Sequence, residues 1–94
     1  MFVNMARVKP RSGREGDLEA NMKQFRDDLR RLPGCRGAFV LREPDSGYLV
    51  GLSLWVDETA FGEAMKSLPA RNSTVSSAEL REAPPELRTF VELR

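Results

Sequence analysis

Histidine is absent from this chain of 94 residues, and cysteine occurs once, at Cys35. The first absence excludes an imidazole general base, histidine metal ligands and a histidine-ligated haem from the chain's own residues. The second excludes an intramolecular disulfide and fits a reducing compartment. Cys35 follows what reads as a helix C-terminus, away from the helix N-terminus or neighbouring base that activates a thiolate. No apolar run is long enough to span a bilayer. Phe2–Val8 is too short and too mixed for a signal segment. The expectation is a cytoplasmic protein with no membrane partner. Charge of one sign is also lacking, with 15 basic residues against 14 acidic ones. Nucleic-acid binding needs a concentrated basic surface, so no nucleic-acid partner is expected. There is no glycine-rich phosphate loop, no nucleophile elbow and no spaced cluster of metal ligands. No metal is expected on that ground.

What is present is the composition of an ordinary globular protein, 40% hydrophobic and 31% charged. A chain of this length makes a single domain, here 1–94, and buries roughly 60–65% of its unfolded surface. Phe2–Val8 reads as a first strand, with Val3 and Met5 on one face and Phe2, Asn4, Ala6 and Val8 on the other. Pro10, Ser12 and Gly13 end it. Leu18, Met22, Phe25, Leu29 and Leu32 then recur at alternating spacings of four and three, a single apolar stripe on a helix. The rest of that helix is charged, and Asp27 and Asp28 belong to its solvated face. Pro33-Gly34 stops it. Gly37–Glu43 reads as a second strand. Pro44-Asp45-Ser46-Gly47 is a tight-turn signal, so the third strand, Tyr48–Val56, forms a hairpin with the second. Arg42 and Tyr48 flank that turn as surface or dimer-contact residues. Asp57 suits the N-cap of a second helix carrying Phe61, Ala64, Met65 and Leu68, which ends near Pro69. Arg71–Glu86 is polar and Ser-rich. It reads as a loop with one helical turn around Ser77–Arg81, either a plain connector or a lid over a cavity. Leu87–Leu93 is the last strand.

The resulting order is βαββαβ, an α+β ferredoxin-like fold with a four-stranded antiparallel sheet and both helices on one face. The third strand is apolar on both faces: Leu49, Gly51, Ser53 and Trp55 point one way, and Tyr48, Val50, Leu52, Leu54 and Val56 the other. A strand with one solvated face alternates apolar and polar residues. Helices covering one side leave Val3, Met5, Val50, Leu52 and Leu54 on the other, an apolar patch that monomers rarely expose. Burial is worth roughly 25 cal/mol per Å² of apolar area, and the economical cover is a second copy. A homodimer is therefore expected.

The chain resembles the antibiotic-biosynthesis-monooxygenase-like proteins, small dimeric α+β barrels. The resemblance rests on the opening strand Met1–Val8, on Leu32-Pro33-Gly34 before the second strand, and on Leu54–Phe61, whose Trp-x-x-x-x-Ala-Phe pattern is characteristic. It covers Met1 to about Lys66 well and the last strand loosely. It implies a site within each protomer, between sheet and helices, and an activity among cofactor-independent oxygenases of polycyclic aromatics or haem-degrading enzymes. The haem-degrading members use an asparagine on the first strand, a tryptophan ending the third, and a histidine on or after the second helix. Trp55 matches the tryptophan. Ala6 stands at the asparagine position, with Asn4 two residues earlier on the same face, and the histidine has no counterpart. The resemblance thus implies a cofactor-independent monooxygenase of a small phenol or quinol, with no cofactor, rather than haem chemistry.

Asn4, Ser53 and Trp55 are the candidate ligand-binding residues, with two roles open to each. Trp55 either lines a cavity, where an indole stacks on a flat molecule, or closes the core between sheet and helices. Asn4 either orients a ligand oxygen or satisfies a backbone group, since a buried amide needs a partner. Ser53 is a second polar handle or a small residue in a tight crossing, and Gly51 beside it leaves room for a ligand. The alternative function is a non-catalytic dimeric protein of the same fold that binds a small aromatic ligand or serves as an accessory partner.

Overall fold

The computed structural model describes residues 1–68 and 78–94. The elements are β1 (Phe2–Val8), α1 (Glu15–Arg30), β2 (Cys35–Arg42), β3 (Leu49–Trp55), α2 (Glu58–Ser67) and β4 (Glu86–Val91), in the order that the sequence pattern predicts. They form one antiparallel four-stranded sheet of order β2-β3-β1-β4. No helix among the described residues is long and apolar enough to cross a membrane. β2 starts at Cys35, two residues before the predicted boundary at Gly37, because Cys35 pairs with Trp55 across an irregularity in the register. Residues 78–80 are helical, within the turn expected near Ser77–Arg81. The lid role considered for Arg71–Glu86 falls partly on 69–77, outside the described residues.

The register fixes which residues share a face. Phe2 lies opposite Trp55, Asn4 opposite Ser53, Ala6 opposite Gly51, and Val8 opposite Leu49. These pairs face the helices, as strand alternation requires. Among the described residues, two clusters make the core. One gathers Phe2, Leu29, Ala38, Trp55, Ala64 and Leu68 beneath α2 and the end of α1. The other gathers Val8, Leu18, Leu49 and Leu80. Phe61 closes the first cluster, its ring centroid 5.3 Å from that of Phe2 and 5.8 Å from Trp55 in an edge-on contact. The Asp57 carboxylate accepts from the Ala60 backbone N–H at 2.8 Å, satisfying a donor that the first turn of α2 would otherwise leave unpaired. α1 ends at Arg30, and Gly34, with φ 84° in the left-handed region, turns the chain that follows into β2.

α1 lies over β2 and β3, and Leu18 and Leu29 of its stripe are buried. Phe25, in the middle of that stripe, is exposed because it stands at an opening between helix and sheet. Arg30 reaches beyond the helix and donates twice to the backbone carbonyl of Ala38 on β2, from Nε at 3.0 Å and Nη2 at 2.6 Å.

The opposite face of the sheet carries Leu54, Val3 and Phe90 in one cross-strand row and Phe39, Leu52 and Met5 in the next. Phe39 is 42% exposed and Phe90 49%. One corner differs from the sequence expectation. Val50 is buried there, beneath a polar cover. The Arg7 guanidinium carbon lies over the Tyr48 ring, 3.7 Å from its centroid, and the side chain pairs with both Glu43 and Glu86. β4 is bare on both sides, with Leu87 66% and Val91 68% exposed even though they face the helix layer.

Candidate functional site

A cavity of about 250 Å³ lies between α1 and the helix-facing side of the sheet. Its floor is β-sheet, and the floor is low because small residues meet there: Ala6 on β1, Ala38 on β2 and Gly51 on β3. Each withholds a side chain that would otherwise fill the space. A Cβ built on Gly51 would already touch the Met22 methyl at 3.4 Å. Met22, Phe25 and Leu29 descend from α1 to form the apolar roof, spaced so that all point to one side of the helix. The enclosure suits a flat apolar molecule of one or two rings.

Polar groups enter from three directions. Asn4 and Ser53 stand side by side on the floor. As directly opposed residues of adjacent strands, their Cβ atoms lie roughly 4.5–5.5 Å apart. Asn21 and Arg26 come from α1, and Arg81 from the segment before β4. Arg26 donates to Asp27 at 3.0 Å, and this contact holds the Asp27 carboxyl below its usual range. Among the described residues, no carboxylate reaches the cavity lining.

Of the three residues singled out in the sequence, the structure brings Asn4 and Ser53 to the cavity wall and sets Trp55 behind it. Ser53 is 3% exposed and Trp55 fully buried. The indole Nε1 donates to Ser53 Oγ at 2.9 Å. Trp55 is two residues from Ser53 on the same strand face, so its ring lies alongside the serine and packs against Phe61 and the core. Sequence reasoning passes over Asn21, Arg26 and Arg81. The first two carry a signal: Asn21 precedes Phe25 by four residues and Arg26 follows Met22 by four, so both border the apolar stripe. Arg81 carries none, because its position depends on how the chain returns to the sheet.

A second ionic cluster lies on the far side of the sheet, away from the cavity. Arg7 Nη2 meets Glu43 at 2.9 Å and its Nη1 meets Glu86 at 2.9 Å. Ser46 adds a hydroxyl donor to Glu43 at 2.6 Å. Arg7 foremost, then Ser46, holds the Glu43 carboxyl down at about 2. The same contact, led by Glu43, raises the Arg7 guanidinium above its usual value. This cluster ties the β2–β3 hairpin turn to β1 and β4. Cys35 is half-buried, and its thiol lies 3.5 Å from the Gly37 carbonyl. Among the described residues, no group of three or more His, Cys, Asp or Glu residues could hold a metal ion.

The sequence model of a family described as "antibiotic biosynthesis monooxygenase" matches residues 1–92. No curated protein sequence matches the chain. Solved structures share its fold over nearly the whole length. Rv0793 from Mycobacterium tuberculosis superposes with a TM-score of 0.88 at 24% identity, covering 99% of this chain and 95% of that one. A conserved protein from Methanosarcina mazei Go1 gives 0.84 at 16% identity, covering 95% and 89%. SnoaB from Streptomyces nogalater, described as a cofactor-independent oxygenase and solved as a mutant, gives 0.83 at 18% identity, covering 99% and 93%. At these identities the likeness is one of fold.

Proposed function

Because the chain belongs to the antibiotic biosynthesis monooxygenase family, we propose that it is a cofactor-independent monooxygenase of a small phenol or quinol. The observation that carries this reading is the cavity itself: apolar, about 250 Å³, floored by small residues, with Asn4 and Ser53 together at its base. Such a space holds an electron-rich ring away from water and fixes its oxygen at one end. The substrate supplies the electrons. A phenol with a free ring C–H takes up dioxygen, one oxygen atom forms the new carbonyl, the other leaves as water, and the product is a quinone. Loss of the phenol proton to solvent water starts the reaction, and Arg81 at the cavity, with Arg26 contributing less because it is paired to Asp27, favours the phenolate. The oxygenase description of SnoaB supports the same reading.

The second reading is a non-catalytic protein that binds a small aromatic molecule. It is favoured by one specific observation. Among the described residues, neither a carboxylate nor a histidine lines the cavity, so no general base stands there. Incubation of the purified protein with a panel of naphthols and naphthohydroquinones under labelled dioxygen separates the two. Oxygen uptake above the spontaneous rate, with a single labelled oxygen atom in the product, supports the monooxygenase. Binding without uptake across the panel supports the alternative.

The working form in this proposal is a homodimer. Val3, Leu54, Phe90, Phe39, Leu52 and Met5 form one continuous apolar surface opposite the helices. Folding within one chain leaves Phe39 and Phe90 exposed and the other four only partly covered, and a second sheet is the economical cover.

A further inference from the structure

Ser53 is almost wholly buried, yet its hydroxyl does only half of what a hydroxyl can do. Its oxygen accepts the indole N–H of Trp55, and among the described residues no acceptor takes its own hydrogen. Buried hydroxyls are normally satisfied as donors too. The backbone carbonyls around it are committed to the β1–β3 and β2–β3 ladders, and the remaining open direction is the cavity that Ser53 lines. An indole can only donate, so it occupies the oxygen and leaves the hydroxyl hydrogen to point elsewhere. Beside it, the Asn4 carboxamide also has no hydrogen-bond partner among the described residues.

We propose that Trp55 is a positioning residue that acts through Ser53, holding its hydroxyl as a donor aimed into the cavity, so that the site selects an aromatic ligand bearing an acceptor oxygen, a carbonyl or a phenolate. This inference rests on the proposed aromatic cavity and adds the chemistry at its base. Trp55 need not touch the ligand. Its contribution is the orientation of one hydrogen, strengthened because a chain of hydrogen bonds polarises each member. The Asn4 amide, which can rotate to donate, completes the reception of the same oxygen from the adjacent strand.

The test uses 1-tetralone, a bicyclic aromatic ketone, and tetralin, the same skeleton without oxygen. Calorimetry on the unaltered protein should show 1-tetralone bound about tenfold more tightly, the worth of one good hydrogen bond. Trp55→Phe keeps a ring in the core and removes the N–H; Ser53→Ala removes the donor. Each should abolish the preference, and the double variant should lose nothing more. The unaltered protein gives a second readout that needs no variant to fold. Trp55 is the sole tryptophan, so the indole N–H gives one resonance. It should move downfield with 1-tetralone and not with tetralin, because Ser53 becomes a better acceptor once it donates. Retention of the preference in Trp55→Phe, or an unmoved resonance with bound ketone, overturns the inference. Equal binding of both compounds overturns it while leaving the aromatic cavity standing. Failure of both compounds to bind removes the cavity reading and this inference together.

Discussion

Gly34 and Ala60 approach so closely that a Cβ on the glycine would come within 2.5 Å of the alanine methyl and 3.3 Å of a Val56 methyl. The turn after α1 is thereby seated directly on the first turn of α2. Two costs meet at this position. The left-handed backbone costs a non-glycine residue about 1–2 kcal/mol, and forcing a side chain into an occupied space costs a further ~1–3 kcal/mol. Gly34→Ala should lower the melting temperature markedly. Gly34→Asn separates the terms, because asparagine tolerates the backbone but not the contact. If Gly34→Asn melts with the unaltered protein, the close approach is not what constrains this site.

Gly51 presents the opposite case. Its backbone is ordinary strand, and a Cβ meets only the flexible end of Met22. Glycine within a strand costs roughly 0.5–1 kcal/mol relative to alanine. Gly51→Ala should therefore raise stability by that order in thermal or denaturant unfolding, while raising the cavity floor and weakening 1-tetralone. Gain of stability with loss of binding marks Gly51 as a residue kept for the space it leaves. Unchanged binding would place the ligand elsewhere.

The Arg7–Glu43 pair makes an acid-sensitive clasp. The Glu43 carboxyl lies at about 2 when folded, below its usual 4.5. A depressed acid stabilises the fold above its unfolded pKa, and that contribution is lost as pH falls through the folded value. Its loss should thus run between about pH 4.5 and pH 2. Unfolding followed by circular dichroism across that range should show Glu43→Gln less stable than the unaltered protein at pH 6, with the gap closing as acid is added. A gap independent of pH would show that the pair adds nothing beyond shape. Both partners are in contact with solvent, so salt should also narrow the gap.

The bare sheet face predicts a mass. Light scattering at low micromolar concentration should give twice the chain mass of 10.6 kDa. Introducing a charge at two sites of that face, Phe39→Asp with Phe90→Asp, should return the single-chain mass, since an unpaired carboxylate in an apolar contact is costly. A single-chain mass for the unaltered protein would remove the dimer.

The strand faces are legible in the sequence because alternation is a local rule. Asn4, Ala6, Gly51 and Ser53 go to the helix side on parity alone, and the register agrees. Asp57 as a cap is equally local, and Pro33-Gly34 marks the turn into β2, although the helix itself already ends at Arg30. The depth of Trp55 is not legible. Parity places it on the same face as Ser53, but whether a ring borders a void or fills the core depends on the helix above it, here Phe61 of α2. The polar cover over Val50 is hidden for a similar reason. Arg7, Glu43, Tyr48 and Glu86 lie far apart in the chain, and only strand pairing gathers them. Arg81 reaches the cavity lining through tertiary return of the chain, which no periodicity announces.

The two hydrogen bonds from Arg30 to the Ala38 carbonyl have a consequence for assembly. β2 forms one border of the sheet and β4 the other. A foreign strand adding to β2 would have to displace a charged guanidinium from the middle of that border, while β4 has no such plug among the described residues. Fibrils grow by recruiting strands at both margins of every unit. A ribbon corked along one margin terminates after a single addition, so crowding should yield discrete pairs rather than endless stacks.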